Sequence, residues 1–137
     1  MQKTEKGYLV NVPLELSHED IDDILCTAFE GGINSWCQGA EVVEKLPTGK
    51  PDYKGCKYLN EVLTRGGTIR IYTPKGDWPQ ENDQPVLTLE KFLKGFEEWL
   101  KMRLKNGRPA SADPADIDAA DASEIIEISL FGQVVYC

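Results

Sequence analysis

The segment at residues 89–105 constrains the fold most, because its pattern is that of one long amphipathic helix. Thr88 can serve as N-cap, and Gly107 lies just past the last turn, where glycine commonly ends a helix. Gly95 weakens the helix by about 1 kcal/mol relative to alanine, so we expect something, such as a neighbouring helix, to approach closely there. Apolar side chains recur every three or four residues, and the predicted inner face comprises Leu89, Phe92, Leu93, Phe96, Leu100 and Leu104.

The rest of the chain predicts three more helices and five short strands. The helices lie between Ser17 and Gly31, at residues 58–64 and, capped by Asp118, at residues 119–131. Strands are predicted at residues 8–16, 40–46, 68–72, 85–87 and 134–136, with loops at 47–57, 73–84 and 108–116. Because the alternation shows no regular βαβ repeat and two connections resemble hairpins, we predict an α+β fold. A small mixed or antiparallel sheet carries two main helices on one face, in a single domain over residues 1–137.

The charge balance limits the classes of partner that the protein is expected to bind. The chain has 23 acidic and 15 basic residues, for a net charge of -8. A DNA- or RNA-binding protein needs a basic face to displace counterions from phosphates, so we expect no nucleic-acid polymer as partner. A small anionic ligand stays open, because two or three local basic side chains dominate at close range.

The sequence indicates a cytoplasmic protein with free thiols. No apolar run reaches the roughly 20 residues that span a bilayer, and the N-terminus lacks the apolar core of a secretory signal. The four cysteines form no CxxC pair and have no histidine cluster beside them. We therefore expect no membrane association, no metal and no cofactor.

Catalytic residues are not evident, so we expect a protein that is not an enzyme. His18, the single histidine, follows a helix cap in a polar run, and no GxSxG motif is present. Cys37 lacks a partner histidine in any recognisable pattern. The acidic clusters fall at predicted helix starts, where the helix dipole accounts for them.

Two patterns are candidates for ligand binding. Arg65 opens the turn R-G-G-T, and Arg70 lies in the strand that follows. Exposed backbone N–H groups flanked by arginines can cradle a phosphate, although a plain helix C-cap explains the same residues equally well. The second pattern is an aromatic stripe on the long helix that ends in polar groups: Phe92, Phe96, Trp99, Arg103 and Asn106. Such a stripe is usually core, but stacking area ending in donors and acceptors also suits a purine.

Four segments together resemble one known family. They are HEDIDDILCTAFEGGINSWC at 18–37, RGGTIRIY at 65–72, LTLEKFLKGFEEWL at 87–100 and IDAADASEIIEISLFGQVVY at 117–136. They cover a little under half of the chain and resemble small phage and prophage proteins of Gram-positive hosts, the first-described family of phage anti-Thoeris proteins. Members of that family are similar to molecular sponges. They bind the glycocyclic ADP-ribose signal made by a host TIR-domain protein and hold it intact, so that the defence effector is not activated.

The resemblance implies a site, a partner and an assembly. An aromatic residue on the long helix and an asparagine about ten residues later line the signal pocket in that family, and Phe96 and Asn106 fit this spacing. A mid-chain arginine also contributes there, which corresponds to Arg65 or Arg70. Dimers and hexamers are expected, and some members hold cyclic trinucleotides at separate sites. The expected function is sequestration of a cyclic nucleotide in the host cytoplasm, with an acidic inhibitor of a host nucleic-acid enzyme as the alternative.

Overall fold

The computed structural model describes residues 2–10, 13–43, 59–74, 84–109, 111 and 113–136. These residues form an α+β fold, as predicted. The helices are α1 (His18–Glu30), α2 (Leu59–Thr64), α3 (Leu89–Lys105) and α4 (Ala119–Phe131). The strands are β1 (Gln2–Lys3), β2 (Tyr8–Leu9), β3 (Gly39–Val42), β4 (Ile69–Tyr72) and β5 (Val86–Leu87), and two 3-10 turns lie at Gly32–Ser35 and Pro114–Asp116.

The helix ends follow from capping chemistry. Ser17 and Asp20 form a capping box at the start of α1, and Asp118 and Asp121 form another at the start of α4. The Thr88 hydroxyl accepts a hydrogen bond from the Lys91 backbone N–H and starts α3. Each box satisfies backbone donors that the first turn leaves unpaired. The predicted bounds of α3 and α4 are confirmed for this reason.

The core lies where α4 packs between α1 and α3. α4 also touches β5 and the 3-10 turn at Gly32–Ser35, so it is covered on several sides. Gly32 is held so close to α4 that an added Cβ would lie 2.7 Å from the Ala119 carbonyl oxygen. Fully buried side chains from the helices and the sheet meet here: Leu25, Leu63, Ile69, Ile71, Leu87, Phe92, Ile125 and Ile126.

The larger sheet has three antiparallel strands in the order β3-β4-β5. Ile69 and Ile71 of β4 point into the core, and Arg70 faces the other way, as the alternating pattern predicts. In the register, Arg70 lies opposite Glu41 of β3 and Val86 of β5. The sheet therefore has an apolar inner face and a polar outer one.

Three strand predictions need correction. Among the described residues of 8–16, which exclude 11 and 12, the strand is limited to Tyr8–Leu9, paired with β1, and Tyr8, Val10 and Leu14 are exposed. No strand of the larger sheet pairs with these described residues, and Leu16 of the predicted apolar face packs against the core. The strand predicted at 40–46 is observed at Gly39–Val42, and residues 44–46 lie outside the described residues.

The strand predicted at 134–136 is absent. Its backbone N–H groups at Val135 and Tyr136 donate to the side chain of Glu127 instead of to a neighbouring strand. The buried Glu127 carboxylate, and not a neighbouring strand, therefore accepts the backbone hydrogen bonds of this segment.

The buried face of α3 is rotated relative to the prediction. Phe92, Phe96 and Trp99 are buried, whereas Leu93 is partly exposed and Leu104 is 65% exposed. The reason is Gly95, where an added Cβ would lie 2.7 Å from the Cα of Ser129. α4 approaches there, so the contact face is centred on Gly95 and turns the two leucines outward.

The loop predictions are only partly observable. Residues 47–57 and most of 73–84 lie outside the described residues. The segment at 108–116 contains the Pro114–Asp116 turn, and the Ser111 hydroxyl donates to Asp116 across 2.9 Å. Within the described ranges, every helix is too short or too polar to traverse a lipid bilayer.

Candidate functional site

The aromatic stripe of α3 is part of the core. Phe96 is 3% exposed and Trp99 is 1% exposed, with their ring centroids 5.8 Å apart. The Trp99 indole N–H donates to Glu124 of α4 across 3.1 Å. A planar ligand therefore finds no open ring face on Phe96 in this conformation.

Arg103 covers the outer end of that stripe. Its Cζ lies 4.8 Å from the ring centroid of Trp99, within the range of a cation–π contact. Nη1 donates to Asp121 Oδ1 across 3.2 Å, and Nε donates to the Pro109 carbonyl across 2.9 Å. These hydrogen bonds connect α3 to α4 and to the segment after α3, and the Arg103 side chain is 16% exposed.

Asn106 lies at the C-cap of α3, one turn beyond Arg103. Its backbone N–H donates to the Met102 carbonyl across 3.1 Å, and the residue is exposed. Gly107 follows with a φ of 71°, in the left-handed region that glycine adopts readily. Asn106 therefore lies at the protein surface, at the end of α3 that also carries Arg103.

The R-G-G-T turn has the geometry of a helix C-cap. The Arg65 backbone N–H donates to the Glu61 carbonyl across 3.1 Å. The N–H of Gly66 donates to the Leu63 carbonyl across 3.0 Å, and that of Gly67 donates to the Val62 carbonyl across 2.8 Å. Gly66 has a φ of 89°, the left-handed conformation that such a cap uses. These donors already have partners, which favours the cap interpretation over a phosphate cradle.

Arg70 lies on the outer face of the sheet, with part of its guanidinium buried. Nη1 donates to Glu41 Oε1 across 3.2 Å, and the Arg70 side chain is 21% exposed. Its Nε is buried and has no hydrogen-bond partner within the described part of the chain. A buried N–H without a partner is energetically unfavourable, so an acceptor that reached this donor would be bound favourably.

Glu41 is held in its charged form beside Arg70. The Tyr72 hydroxyl donates to Glu41 Oε1 across 2.6 Å. This hydrogen bond lowers the pKa of Glu41, and the Arg70 guanidinium lowers it further. Sequence reasoning missed Glu41 and Tyr72, because Glu41 meets Arg70 and Tyr72 only through a strand register that the sequence does not reveal.

Arg70 lies toward one end of α3, and Arg103 and Asn106 lie toward the other. Arg70 pairs with Val86, whose carbonyl accepts from Lys91 Nζ in the first turn of α3 across 2.9 Å. Arg103 and Asn106 lie at the other end of that helix, roughly 18–23 Å beyond Lys91 along its axis at 1.5 Å per residue. One chain therefore does not gather Arg70 and Asn106 around one small ligand.

Neither the thiols nor the acids form a reactive centre in the described residues. Burial raises the pKa of the Cys37 thiol, which disfavours the nucleophilic thiolate. No group of three or more histidine, cysteine or carboxylate side chains in those ranges is arranged to hold a metal ion.

Comparison with known proteins finds no match for this chain. No protein-family model matches the sequence, and neither a curated protein nor a solved structure is significantly similar to it.

Proposed function

We propose that this protein binds a cyclic nucleotide signal of the glycocyclic ADP-ribose class and sequesters it unchanged. The observation that carries the proposal is the Arg70 guanidinium, which is oriented by Glu41 and keeps one buried donor without a partner. A phosphate oxygen is a strong acceptor for such a donor. The resemblance of the four sequence segments to phage anti-Thoeris proteins supplies the ligand class.

Arg70 suits the phosphate contact better than Arg65. A partly buried guanidinium interacts more strongly with an anion than an exposed one, because water screens it less. Arg65 is exposed and follows a cap whose backbone donors are already in use. Of the two arginines left open by the sequence, the proposal therefore assigns the phosphate contact to Arg70.

The second half of the site is the outer end of α3. There Arg103 and the exposed Asn106 amide offer donors and an acceptor to a base or ribose. In this proposal Trp99 supports Arg103 through the cation–π contact and Phe96 packs against Trp99, since both rings are covered.

The two halves come from two copies of the chain. Because Arg70 and Asn106 of one chain lie toward opposite ends of α3, a nucleotide bridges them only when a second copy supplies one half. A two-fold dimer with this arrangement holds two equivalent sites, one ligand per chain. A pocket closed between subunits also provides the buried surface that sequestration requires.

The acidic-inhibitor alternative gains no specific support. Four of the acids that would form a nucleic-acid-like surface instead cap helices or turns: Asp20, Asp113, Asp118 and Asp121. Local electrostatics accounts for their positions.

Thermal unfolding with matched arginine variants tests the proposal. With a saturating glycocyclic ADP-ribose isomer, the wild-type melting temperature should rise by several degrees, because ligand binds only the folded state. Arg70→Ala should weaken binding about ten- to hundredfold, as expected when a charge-assisted hydrogen bond is lost. Arg65→Ala is the control and should keep the shift. Equal losses in the two variants, or no shift in the wild type, contradict the proposal.

A further inference from the structure

The C-terminal residues fold back over α4 without joining a sheet. Gly132 ends α4 with a φ of 77°, and this left-handed residue turns the chain. The backbone N–H of Val135 then donates to Glu127 Oε1 across 3.0 Å, and the N–H of Tyr136 donates to the same oxygen. We call residues 133–136 the strap.

The strap is attached to a carboxylate inside the protein. Glu127 is fully buried in α4 and takes part in none of the ion pairs among the described residues. Its other oxygen accepts from the Ser123 hydroxyl across 3.3 Å, and that hydroxyl accepts from the Trp36 indole N–H across 2.9 Å. A buried carboxylate without a cation depends on hydrogen bonds, and the strap supplies two of them.

An aromatic contact is the second attachment. The ring of Tyr136 stacks on Trp36, with centroids 5.1 Å apart and planes inclined by 17°. Phe131 meets the Tyr136 ring edge-on at 5.8 Å. Val134 is half-buried and packs against the core, whereas Gln133 and Val135 are exposed, so one side of the strap is open to solvent.

We propose that the strap opens and closes as a unit about Gly132 while the helices stay folded. The Glu127 carboxylate and the Trp36 ring form its latch. An added Cβ at Gly132 would meet nothing within 4 Å, so the hinge is not hindered by packing. Opening uncovers one face of the Trp36 ring and removes two hydrogen-bond donors from the Glu127 carboxylate. Closure of the strap covers both groups again. The proposal does not depend on nucleotide binding.

Amide hydrogen exchange of the full-length protein tests this device. In the wild type, the Val135 and Tyr136 amides should exchange at least tenfold faster than the Phe96 amide of α3, because local opening costs less than unfolding. Tyr136→Ala removes the stacking contact, so it should speed exchange at Val135 about three- to tenfold. The Phe96 amide should keep its rate.

Two glutamate variants separate the latch from general damage. Glu127→Gln keeps an acceptor oxygen for the strap, whereas Glu127→Ala removes it, so exchange at Val135 should be faster in the alanine variant. The proposal is overturned if Val135 and Phe96 exchange at the same rate in the wild type. It is equally overturned if Tyr136→Ala speeds the two amides alike, since the strap would then open only with the whole fold.

Discussion

At the scale of single residues, Glu41 depends on its neighbours for its low pKa. The Tyr72 hydroxyl is the main cause and the Arg70 guanidinium adds to it. Because the folded state favours the carboxylate, the contact stabilises the fold at pH values above the ordinary glutamate pKa, and this stabilisation is lost as the pH falls through the depressed pKa. Tyr72→Phe should therefore raise the Glu41 pKa toward its ordinary value. Carboxyl-carbon NMR titration measures it.

A matched titration guards against a global effect. The Arg65→Ala variant changes an exposed charge outside this contact, and Glu41 should titrate in it as in the wild type. An unchanged Glu41 titration in Tyr72→Phe would contradict the role assigned to the hydroxyl.

Phe96 is a core residue in the structure, and its truncation should mainly affect stability. Phe96→Ala removes a side chain that is 3% exposed, so the free energy of unfolding should fall by about 3–5 kcal/mol. Leu104→Ala, on an exposed site of the same helix, should change it by less than about 0.5 kcal/mol. Chemical denaturation measures both. A loss of under about 1 kcal/mol for Phe96→Ala would show that its ring is not packed as described.

Residue-level prediction from sequence worked where one local rule decides. The alternating pattern in β4 correctly predicted that Arg70 lies on the other face of the strand from Ile69 and Ile71. It could not provide Glu41 as the partner of Arg70, because strand register depends on tertiary contacts. Whether Phe96 contacts a ligand or only the core was likewise beyond the sequence, since both uses need the same spacing.

At the scale of elements, the contact between α3 and α4 depends on a missing side chain. A Cβ at Gly95 would lie 2.0 Å from Ser129 Oγ and 2.7 Å from its Cα, so the helices must move apart to accept it. Gly95→Ala should destabilise the fold by about 1–3 kcal/mol, although alanine is the better helix former. Thermal unfolding measures the change.

The Ser129→Gly background tests the cause. It removes the side chain that meets the new Cβ, so adding Gly95→Ala there should cost less than in the wild type. Equal costs in both backgrounds would contradict a steric origin at this contact.

Element prediction succeeded for helices and failed for terminal strands for a physical reason. Ser17, Thr88 and Asp118 cap their own helices, so local sequence contains the signal for each start. A strand needs a partner elsewhere in the chain. Among the described residues of 8–16, only Tyr8–Leu9 pairs with another strand, and the backbone of residues 134–136 hydrogen-bonds to Glu127 instead.

At the scale of the whole molecule, the protein and its proposed ligand are both negatively charged. The net charge of -8 opposes a nucleotide at long range, but salt screens distant charges beyond about 10 Å. In the proposed dimer, binding depends on a few cations at contact distance, namely Arg70 from one copy and Arg103 from another. Sequence composition predicts that no polymeric nucleic acid is a partner. A site shared between two copies could be proposed only once the length of α3 separated its candidate residues.

Isothermal titration calorimetry with cyclic ADP-ribose and its glycocyclic isomers tests sequestration most directly. We expect a clear binding heat with at least one isomer, one ligand per chain, and recovery of the intact ligand when the titrated complex is heat-denatured. Absence of heat across the whole panel, or recovery of a cleaved product, would contradict it.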